Sequence, residues 1–334
     1  MKAKIPATVL TGFLGAGKTT MIRHLLANAN GQRIALIINE FGDLGIDAEI
    51  VKGCAIEGCA EEDVIELANG CICCAVADDF IPTMEKLLAR ANPPDHIVIE
   101  TSGLALPKPL VKAFNWPEVK SRVTVSGVIA VVDAPAVAAG RFEDEPRSGD
   151  APHDNPLEEV FEDQLLCADL VVLNKCDRID HEALSAVRQI VAESLRPGVK
   201  AIPATRGAVD LGVLLGLDAE AENDVDSRRS HHDLEDNHDH EDFESFIVAL
   251  PVDVDPAALE DRIRRAAGDH DILRVKGFVA VAGKDMRHVI QGVGARIDRY
   301  FDRPWGDTED RAGRLVVIGR AGLDRTAIAR ALTG

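Results

Sequence analysis

The sequence predicts a doubly wound α/β domain, built on a mainly parallel sheet, followed by a smaller C-terminal α+β domain. Apolar runs of strand length alternate with helix-like segments between residues 5 and 207, which is the pattern of a parallel sheet covered by helices. The segment that joins the first strand to the first helix has the form G-x-x-x-x-G-K-[ST]. From residue 243 onward the alternation changes to that of a small α+β unit.

The glycine-rich segment 12–19 predicts a P-loop NTPase. An apolar run at 5–10 precedes it and a segment with apolar residues at helical spacing follows it, which is the context of a phosphate-binding loop. Lys18 is expected to act in catalysis by reaching the β- and γ-phosphates, and the Thr19 hydroxyl is expected to bind Mg²⁺. Backbone N–H groups and the helix dipole should bind the polyphosphate. The predicted nucleotide-binding residues here are Gly12, Gly15, Ala16, Gly17, Lys18, Thr19 and Thr20.

Two further apolar runs, at 33–38 and 96–99, are predicted strands that end in polar residues. The first leads into Asn39-Glu-Phe-Gly42, in the position of a switch loop that senses the γ-phosphate and Mg²⁺. The second leads into Glu100-Thr-Ser-Gly103. Glu100 is a Walker B-like catalytic candidate, which would hold Mg²⁺ through water or orient the attacking water. An ordinary strand-end glutamate is the alternative, and the P-loop disfavours it.

A guanine-specificity motif follows the fifth predicted strand. Strands are expected at 125–132 and 169–173, separated by a polar, proline-broken loop at 140–156. The second of these strands leads into Asn174, Lys175, Cys176 and Asp177, which match N-K-x-D. The Asp177 carboxylate would accept from the guanine N1 and N2 donors, so the predicted substrate is GTP rather than ATP. Residues 201–207 follow as the last strand and a base-stacking loop.

Three clustered cysteines, Cys71, Cys73 and Cys74, predict a transition-metal site. They are too closely spaced for a structural zinc site, so a turn would have to direct their sulfurs at one ion. Glu40 or a partner would complete the ligand set, and soft thiolates suit Zn²⁺, Co²⁺ or Cu⁺. Buried apolar cysteines are the alternative. Cys54 and Cys59 are further donor candidates, a short helix is expected at 61–67, and Cys167 and Cys176 are expected to be structural.

Composition limits the class of protein. A length of 334 residues predicts two domains. The formal net charge of −19 argues against nucleic acid and anionic membranes as partners. No apolar run reaches the roughly 18 residues of a membrane span, and the N-terminus does not resemble a signal peptide. We therefore expect a cytoplasmic protein whose seven cysteines serve as thiols rather than as disulfides.

The predicted domains are 1–217 for nucleotide binding, 218–242 for a flexible acidic linker, and 243–334 for the α+β domain. Residues 218–244 hold twelve Asp or Glu and two Arg. Histidines within the linker either bind transition metals weakly or belong to a solvated segment. They are His231, His232, His238 and His240. The last domain is expected to form a ferredoxin-like half-open sheet, with strands at 246–250, 272–281 and 315–318, a strand favoured over 289–300, and helices at 256–267 and 326–332.

Together these motifs resemble one family, the CobW-type branch of the metallochaperone P-loop GTPases. The resemblance covers nearly the whole chain, and 76–82, 100–110 and 114–117 are similar to the family's cobalamin-biosynthesis members. Its signature segments are 12–19, Asn39-Glu-Phe-Gly42, Gly70-Cys-Ile-Cys-Cys74, Glu100-Thr-Ser-Gly103 and Asn174-Lys-Cys-Asp177. One departure is Thr205-Arg-Gly207, where many GTPases carry Ser-Ala-Lys.

The resemblance implies GTP hydrolysis coupled to delivery of Co²⁺ to the aerobic cobaltochelatase of cobalamin biosynthesis. The family's zinc-handling members share the C-x-C-C, so a GTPase that inserts Zn²⁺ into a client protein is the first alternative. A nucleotide-binding metal-storage or sensor protein without useful turnover is the second. In the first two cases an ordered switch loop would assemble the sulfur site, and loss of the γ-phosphate would dismantle it.

Overall fold

The computed structural model describes residues 4–39, 64–67, 80–141, 156–231, 243–251, 254–294, 296–306, 309 and 311–334. The described residues up to His231 form one compact unit, and those from Phe243 onward form a second. No helix within these ranges is long and apolar enough to cross a membrane. The predicted domain limits at 217 and 242 stay predictions.

A sheet of seven parallel strands, in the order β3-β2-β4-β1-β5-β6-β7, forms the centre of the first unit within the described ranges. Its inner strands are almost entirely buried, which explains their continuous apolar runs. The strands are β1 (Ile5–Thr11), β2 (Ile34–Asn39), β3 (Val64–Leu67), β4 (His96–Glu100), β5 (Val123–Asp133), β6 (Leu170–Asn174) and β7 (Lys200–Pro203).

Helices follow most of these strands, as the alternating pattern predicts. Phe80 and Phe114 belong to one buried apolar cluster, with ring centroids 5.3 Å apart, and Phe161 and Val187 belong to another. The helices are α1 (Lys18–Ala27), α2 (Ile81–Leu88), α3 (Pro107–Ala113), α4 (Pro117–Lys120), α5 (Ala134–Ala138), α6 (Pro156–Cys167), α7 (His181–Glu193) and α8 (Leu211–Leu215).

The strand order determines where a ligand can bind. β1 lies between β4 and β5; the connection that leaves β1 runs to β2 on one side, whereas the connection that leaves β4 runs to β5 on the other side. In open parallel sheets such a reversal creates a crevice at the carboxyl ends of the strands. The glycine-rich loop 12–17 begins at this point.

One local prediction in this unit is wrong, and one helix was not predicted. Residues 64–67 form a strand rather than part of a helix, because Leu36 and Asn39 of β2 pair with Val64 and Leu67 and extend the sheet. Helix α6 occupies 156–167, where the sequence indicated no helix. The rest of the predicted helix at 61–67, and most of the predicted loop at 140–156, lie outside the described residues.

Residues 218–231, predicted to be part of a flexible linker, instead belong to the first unit and pack against its sheet. We call this segment the strap. Ala221 and Val225 belong to the apolar core, and the Glu222 carboxylate accepts hydrogen bonds from Val125 N at 2.8 Å and Thr124 Oγ1 at 2.7 Å. Arg228 is 1% exposed. Acidic composition suggested solvation here, but these side chains find specific partners on the sheet. Residues 232–242 lie outside the described ranges.

Within the described ranges, the second unit contains an antiparallel sheet of five strands, in the order β11-β10-β9-β12-β8. β8 and β9 are joined by α9 and are separated by the antiparallel β12, which is the split β-α-β arrangement of ferredoxin-like sheets. The predicted strand at 289–300 is in fact a hairpin that turns at Gly294. The elements are β8 (Phe243–Leu250), α9 (Pro256–Asp269), β9 (Ile272–Val279), β10 (Met286–Val293), β11 (Arg296–Pro304), β12 (Gly313–Arg320) and α10 (Arg325–Thr333).

Candidate nucleotide-binding site

The loop between β1 and α1 depends on glycine at two positions. Gly12 has φ +138°, and a Cβ atom there would lie 2.2 Å from the Val131 carbonyl oxygen of β5. Gly17 has φ +106°, and a Cβ atom there would lie 2.3 Å from Nδ2 of Asn174. Both positions need the left-handed region and also lack room for a side chain. The loop therefore follows a tight path over the carboxyl end of the sheet, as the P-loop motif predicts.

Lys18 begins α1 and is 5% exposed. Its Nζ atom donates to the Gly12 carbonyl at 2.6 Å and to the Phe13 carbonyl at 3.4 Å. The ammonium group thus lies across the loop whose N–H groups would contact phosphate. An anionic ligand inside the loop would find a buried positive charge there.

Thr19 and Glu100 come together although 81 positions separate them. Thr19 Oγ1 donates to Glu100 Oε1 at 3.3 Å, and Glu100, at the end of β4, is 4% exposed. A hydroxyl and a carboxylate side by side are hard oxygen donors of the type that Mg²⁺ prefers. The donor set therefore fits the magnesium ion that accompanies a nucleoside triphosphate.

Asn174 and Lys175 connect the end of β6 to the P-loop. Asn174 is 1% exposed, its Nδ2 donates to the Ala16 carbonyl at 2.9 Å, and its Oδ1 accepts from Gly207 N at 2.9 Å. Lys175 has φ +62°, which turns the chain at the strand end, and its Nζ donates to the Gly15 carbonyl at 2.6 Å. The two side chains bring the P-loop, the N-K-x-D motif and the 205–207 loop into one site.

Asp133 is a residue of this site that sequence reasoning did not assign. Its Oδ2 accepts from Lys175 Nζ at 2.8 Å, and its Oδ1 caps α5 through Ala136 N at 3.2 Å. The side chain of Asp133 is 3% exposed. A carboxylate at the end of an apolar strand was the available signal, because the same pattern marks Glu100.

Asp177 lies in a short 3₁₀ turn directly after Lys175 and is exposed to solvent. An accessible carboxylate beyond the P-loop is what recognition of a guanine edge requires. Thr20, in the first turn of α1, is also exposed. The predicted nucleotide-binding residues of both motifs thus surround the carboxyl end of β1 and β6.

The predicted metal ligands Cys71, Cys73, Cys74 and Glu40 lie outside the described residues, as do Cys54, Cys59 and the switch loop after Asn39. Among the described residues, no group of three or more His, Cys, Asp or Glu side chains could hold a metal ion. Cys167 is 1% exposed, and burial raises the pKa of its thiol to about 11. Burial also raises the pKa of Cys176, whose Sγ contacts the Leu173 carbonyl at 3.0 Å. Cys167 is therefore a buried thiol of the apolar core, and the structural role of Cys176 stays a prediction.

The fold and this site define a P-loop GTPase. Comparison with known proteins gives the family: residues 6–203 match the model described as CobW/HypB/UreG, nucleotide-binding domain. Residues 243–334 match the Cobalamin synthesis protein cobW C-terminal domain. The chain belongs to the CobW-type metallochaperone family.

Three curated relatives are similar along nearly their whole length. The Zinc chaperone CobW of a Sinorhizobium species is 57% identical over 99% of this chain and 97% of its own. The Zinc chaperone CobW of Pseudomonas aeruginosa is 55% identical over 99% and 91%. The Zinc chaperone YjiA of Escherichia coli is 32% identical over 94% of each chain. The prediction of a CobW-type metallochaperone GTPase is confirmed.

Proposed function

We propose that this protein is a GTP-hydrolysing metallochaperone that binds Zn²⁺ while GTP is bound and transfers it to a client protein after hydrolysis. The observation that carries the choice of zinc is the 57% identity, over 99% of this chain, to a zinc chaperone. The sequence favoured cobalt, and the zinc alternative now has the stronger support.

GTP binding begins with the P-loop residues. Lys18 would exchange the Gly12 carbonyl for β- and γ-phosphate oxygens, which backbone N–H groups of the loop would also bind. The buried position of Lys18 strengthens this ion pair, because water does not screen it fully. Gly12, Gly15, Ala16, Gly17, Thr19 and Thr20 would supply the remaining backbone contacts.

Thr19 and Glu100 would act around the γ-phosphate. Mg²⁺, when bound, neutralises charge that develops on the β- and γ-phosphate oxygens. The Thr19 hydroxyl would bind the ion, and Glu100 would either bind it through water or hold the attacking water. The contact of 3.3 Å between their oxygens supports a shared role.

Recognition of guanine would fall to the N-K-x-D residues. Asp177 would accept from N1 and N2 of the base, a donor pair that adenine lacks. Asn174 would act through the Ala16 carbonyl and the Gly207 amide, and Lys175 through the Gly15 carbonyl. Binding of the base and placement of the P-loop are therefore linked through two side chains.

Metal loading would occur at the thiolates of Cys71, Cys73 and Cys74, with Glu40 as a further ligand. Zn²⁺ must displace protons from thiols whose unperturbed pKa is about 8.5, so binding is favoured when the thiols are already held together. Glu40 directly follows β2, within the segment predicted to be the switch. An ordered switch would therefore raise metal affinity, and loss of the γ-phosphate would lower it.

Delivery of Co²⁺ to the aerobic cobaltochelatase is the second candidate. The C-terminal domain supports it, because residues 243–334 match a domain model named for cobalamin synthesis. A strain that lacks the gene distinguishes the candidates. Failure to grow under zinc starvation, with cobalamin synthesis intact, supports zinc, and the reverse phenotype supports cobalt.

A spectroscopic titration tests the shared mechanism. We expect Co²⁺, used as a reporter of thiolate ligands, to give intense sulfur-to-metal charge transfer with Mg²⁺ and a non-hydrolysable GTP analogue, and a weak band with GDP. Cys71→Ser or Cys73→Ser should abolish the band. Cys167→Ser is the matched control, because that thiol is buried and its pKa is raised to about 11. Identical spectra with both nucleotides would refute the switch mechanism.

A further inference from the structure

Gln164 of α6 is buried and joins that helix to the chain segment that follows Glu100. It is 1% exposed, and its Nε2 atom donates to the Gly103 carbonyl at 3.2 Å and to the Ala105 carbonyl at 3.3 Å. Only the NH₂ end of the amide can face two acceptors, so these partners determine its orientation. Both N–H donors of one side chain are therefore directed at a single short turn.

This turn contacts the P-loop on its other side. A Cβ atom at Gly103 would lie 2.5 Å from Leu14 Cδ2 and 2.8 Å from Leu14 N, so the two backbones approach closely. At the start of the turn, Thr101 N donates to the Leu10 carbonyl at 2.9 Å. The segment that begins with Glu100 is thus held between β1 with its P-loop and the amide of Gln164.

We propose that Gln164 is a positioning residue for GTP hydrolysis. By holding the carbonyls of Gly103 and Ala105, it keeps the turn against Leu14 and so keeps the Glu100 carboxylate beside Thr19. The proposal rests on the proposed role of Glu100 and Thr19 at the γ-phosphate. It extends that role to a helix that contributes no residue to the predicted nucleotide-binding set.

Because Gln164 holds the turn that follows Glu100, its loss should affect GTP and GDP differently. The contacts proposed for GDP come from the P-loop and from the N-K-x-D segment, which keep their own hydrogen bonds to one another. Only GTP has the γ-phosphate, around which Glu100 is proposed to act with Thr19. Loss of Gln164 should therefore impair hydrolysis, and binding of a GTP analogue, more than it impairs binding of GDP.

The experiment uses the full-length protein with Gln164→Leu, which removes both donors. Because a small displacement of a reacting group can cost up to 100-fold, we expect kcat for GTP to fall at least about 10-fold. The Kd for GDP should stay within about 3-fold of wild type, because GDP lacks the γ-phosphate next to which Glu100 is proposed to act. Glu222→Ala is the matched control. It removes another buried side chain with two hydrogen bonds, from Thr124 Oγ1 and Val125 N at the start of β5. This end of the sheet is opposite the proposed nucleotide site.

Gln164→Glu gives a second measurement with its own signature. An ionised carboxylate repels the two carbonyls, whereas a protonated carboxyl restores one O–H donor. Burial raises the pKa of the introduced group. We expect the kcat of this variant, relative to wild type, to recover as the pH is lowered from about 8 to 6.

Several results would overturn the proposal. They are a wild-type kcat in Gln164→Leu, equal losses of GDP and GTP-analogue affinity, a loss of kcat matched by Glu222→Ala, and a Gln164→Glu variant with no recovery at low pH. Failure of the proposed function would look different: the wild-type protein would not hydrolyse GTP, or Lys18→Ala would hydrolyse it at the wild-type rate.

Discussion

Asn174 donates a hydrogen bond from Nδ2 to the carbonyl oxygen of Ala16 at 2.9 Å, and so connects the guanine-specificity motif to a P-loop residue 158 positions earlier. Its Oδ1 accepts from Gly207 N. One buried amide thus satisfies a donor and an acceptor from two separate loops.

The Asn174→Ala variant should be markedly less stable. Each buried partner, the Ala16 carbonyl and the Gly207 amide, loses its hydrogen bond at a cost of about 1–3 kcal/mol. Urea unfolding gives the free energy, and GTP titration should show weaker binding. Asn28→Ala is the control, because the side chain of Asn28 donates to His24 O at an exposed site. Equal losses of unfolding free energy and GTP affinity in the two variants would contradict the proposal that Asn174 connects the two loops.

Gly17→Ala should lose more stability than Gly31→Ala. Both positions have positive φ, +106° and +84°, so both variants bear the left-handed penalty of about 1–2 kcal/mol. Only the methyl group at Gly17 collides with Asn174, whereas nothing lies within 4 Å at Gly31. We expect a further loss of about 1–3 kcal/mol from overpacking at Gly17, together with weaker GTP binding. Thermal unfolding of the two variants makes the comparison.

Asp177 should determine nucleotide selectivity. Wild type should bind GTP at least about 100-fold more tightly than ATP, because ATP leaves the carboxylate unsatisfied. Asp177→Asn should shift the preference toward xanthosine triphosphate, since the amide donates as well as accepts. The control is Asp180→Asn, which changes the same charge nearby at the N-cap of α7, where Asn caps equally well. Competition binding with the three nucleotides measures the shift, and equal GTP and ATP affinities in wild type would refute the assignment.

His96 should make the protein acid-sensitive. Burial lowers its pKa to about 4, against the opposing effect of Asp218, and its Nε2 lies 2.8 Å from Thr8 Oγ1. A depressed histidine pKa favours the unfolded state on acidification, so this stability is present above about pH 6.5 and is lost as the pH falls toward 4. The loss is on the order of 3 kcal/mol. His96→Gln should reduce the pH dependence of the unfolding free energy between about pH 6.5 and 4. His181→Gln, at an exposed position on α7, should not.

Arg228→Ala should release the strap. The Arg228 guanidinium contacts Asp169 at 2.9 Å and Asp224 at 2.8 Å, and it donates to the Cys167 carbonyl. Removal of one partner from a buried ion pair costs about 3–5 kcal/mol. Limited proteolysis should then cleave within 218–231, where the wild type resists. The neighbouring Arg229 is exposed, so Arg229→Ala should change stability by less than about 0.5 kcal/mol and leave the cleavage pattern unaltered.

Local motifs predicted which residues lie together at the carboxyl end of the sheet, because each motif carries its own geometry, and their roles in nucleotide binding stay predictions. A glycine-rich turn before Lys18, a carboxylate after an apolar strand at Glu100, and N-K-x-D at Asn174 each need only a few consecutive residues. The strand pattern then placed all three at the carboxyl edge of one parallel sheet. Gln164 carries no local signal, because its contacts with the Gly103 and Ala105 carbonyls arise only in the tertiary structure. Asp133 did carry the strand-end signal that marks Glu100, but its partner Lys175 is distant in sequence.

The strap shows the limit of composition as a guide. Its acidic residues suggested a solvated linker, yet Glu222 meets two donors of β5 and Arg228 meets two carboxylates. The tertiary structure brings each of these partners into contact, and the charge composition of the segment alone does not reveal them. Residues 64–67 are a second example. Their short apolar run allowed either a helix or a strand, and pairing with β2 makes them a strand.

The strand order of the parallel sheet also determines when β1 can find its partners during synthesis. β1 lies in the middle of the sheet and is made first, but it pairs with residues 97–100 and 123–130. The P-loop that follows it accepts a hydrogen bond from Asn174, which in turn accepts one from Gly207 N. At ordinary ribosomal rates the chain between residues 19 and 207 takes roughly 10 to 40 s to emerge. The first strand lacks both neighbours only until residues 97–130 have emerged, whereas the nucleotide site stays incomplete until residue 207 has emerged. The apolar β1 therefore most needs protection from aggregation before residues 97–130 leave the exit tunnel.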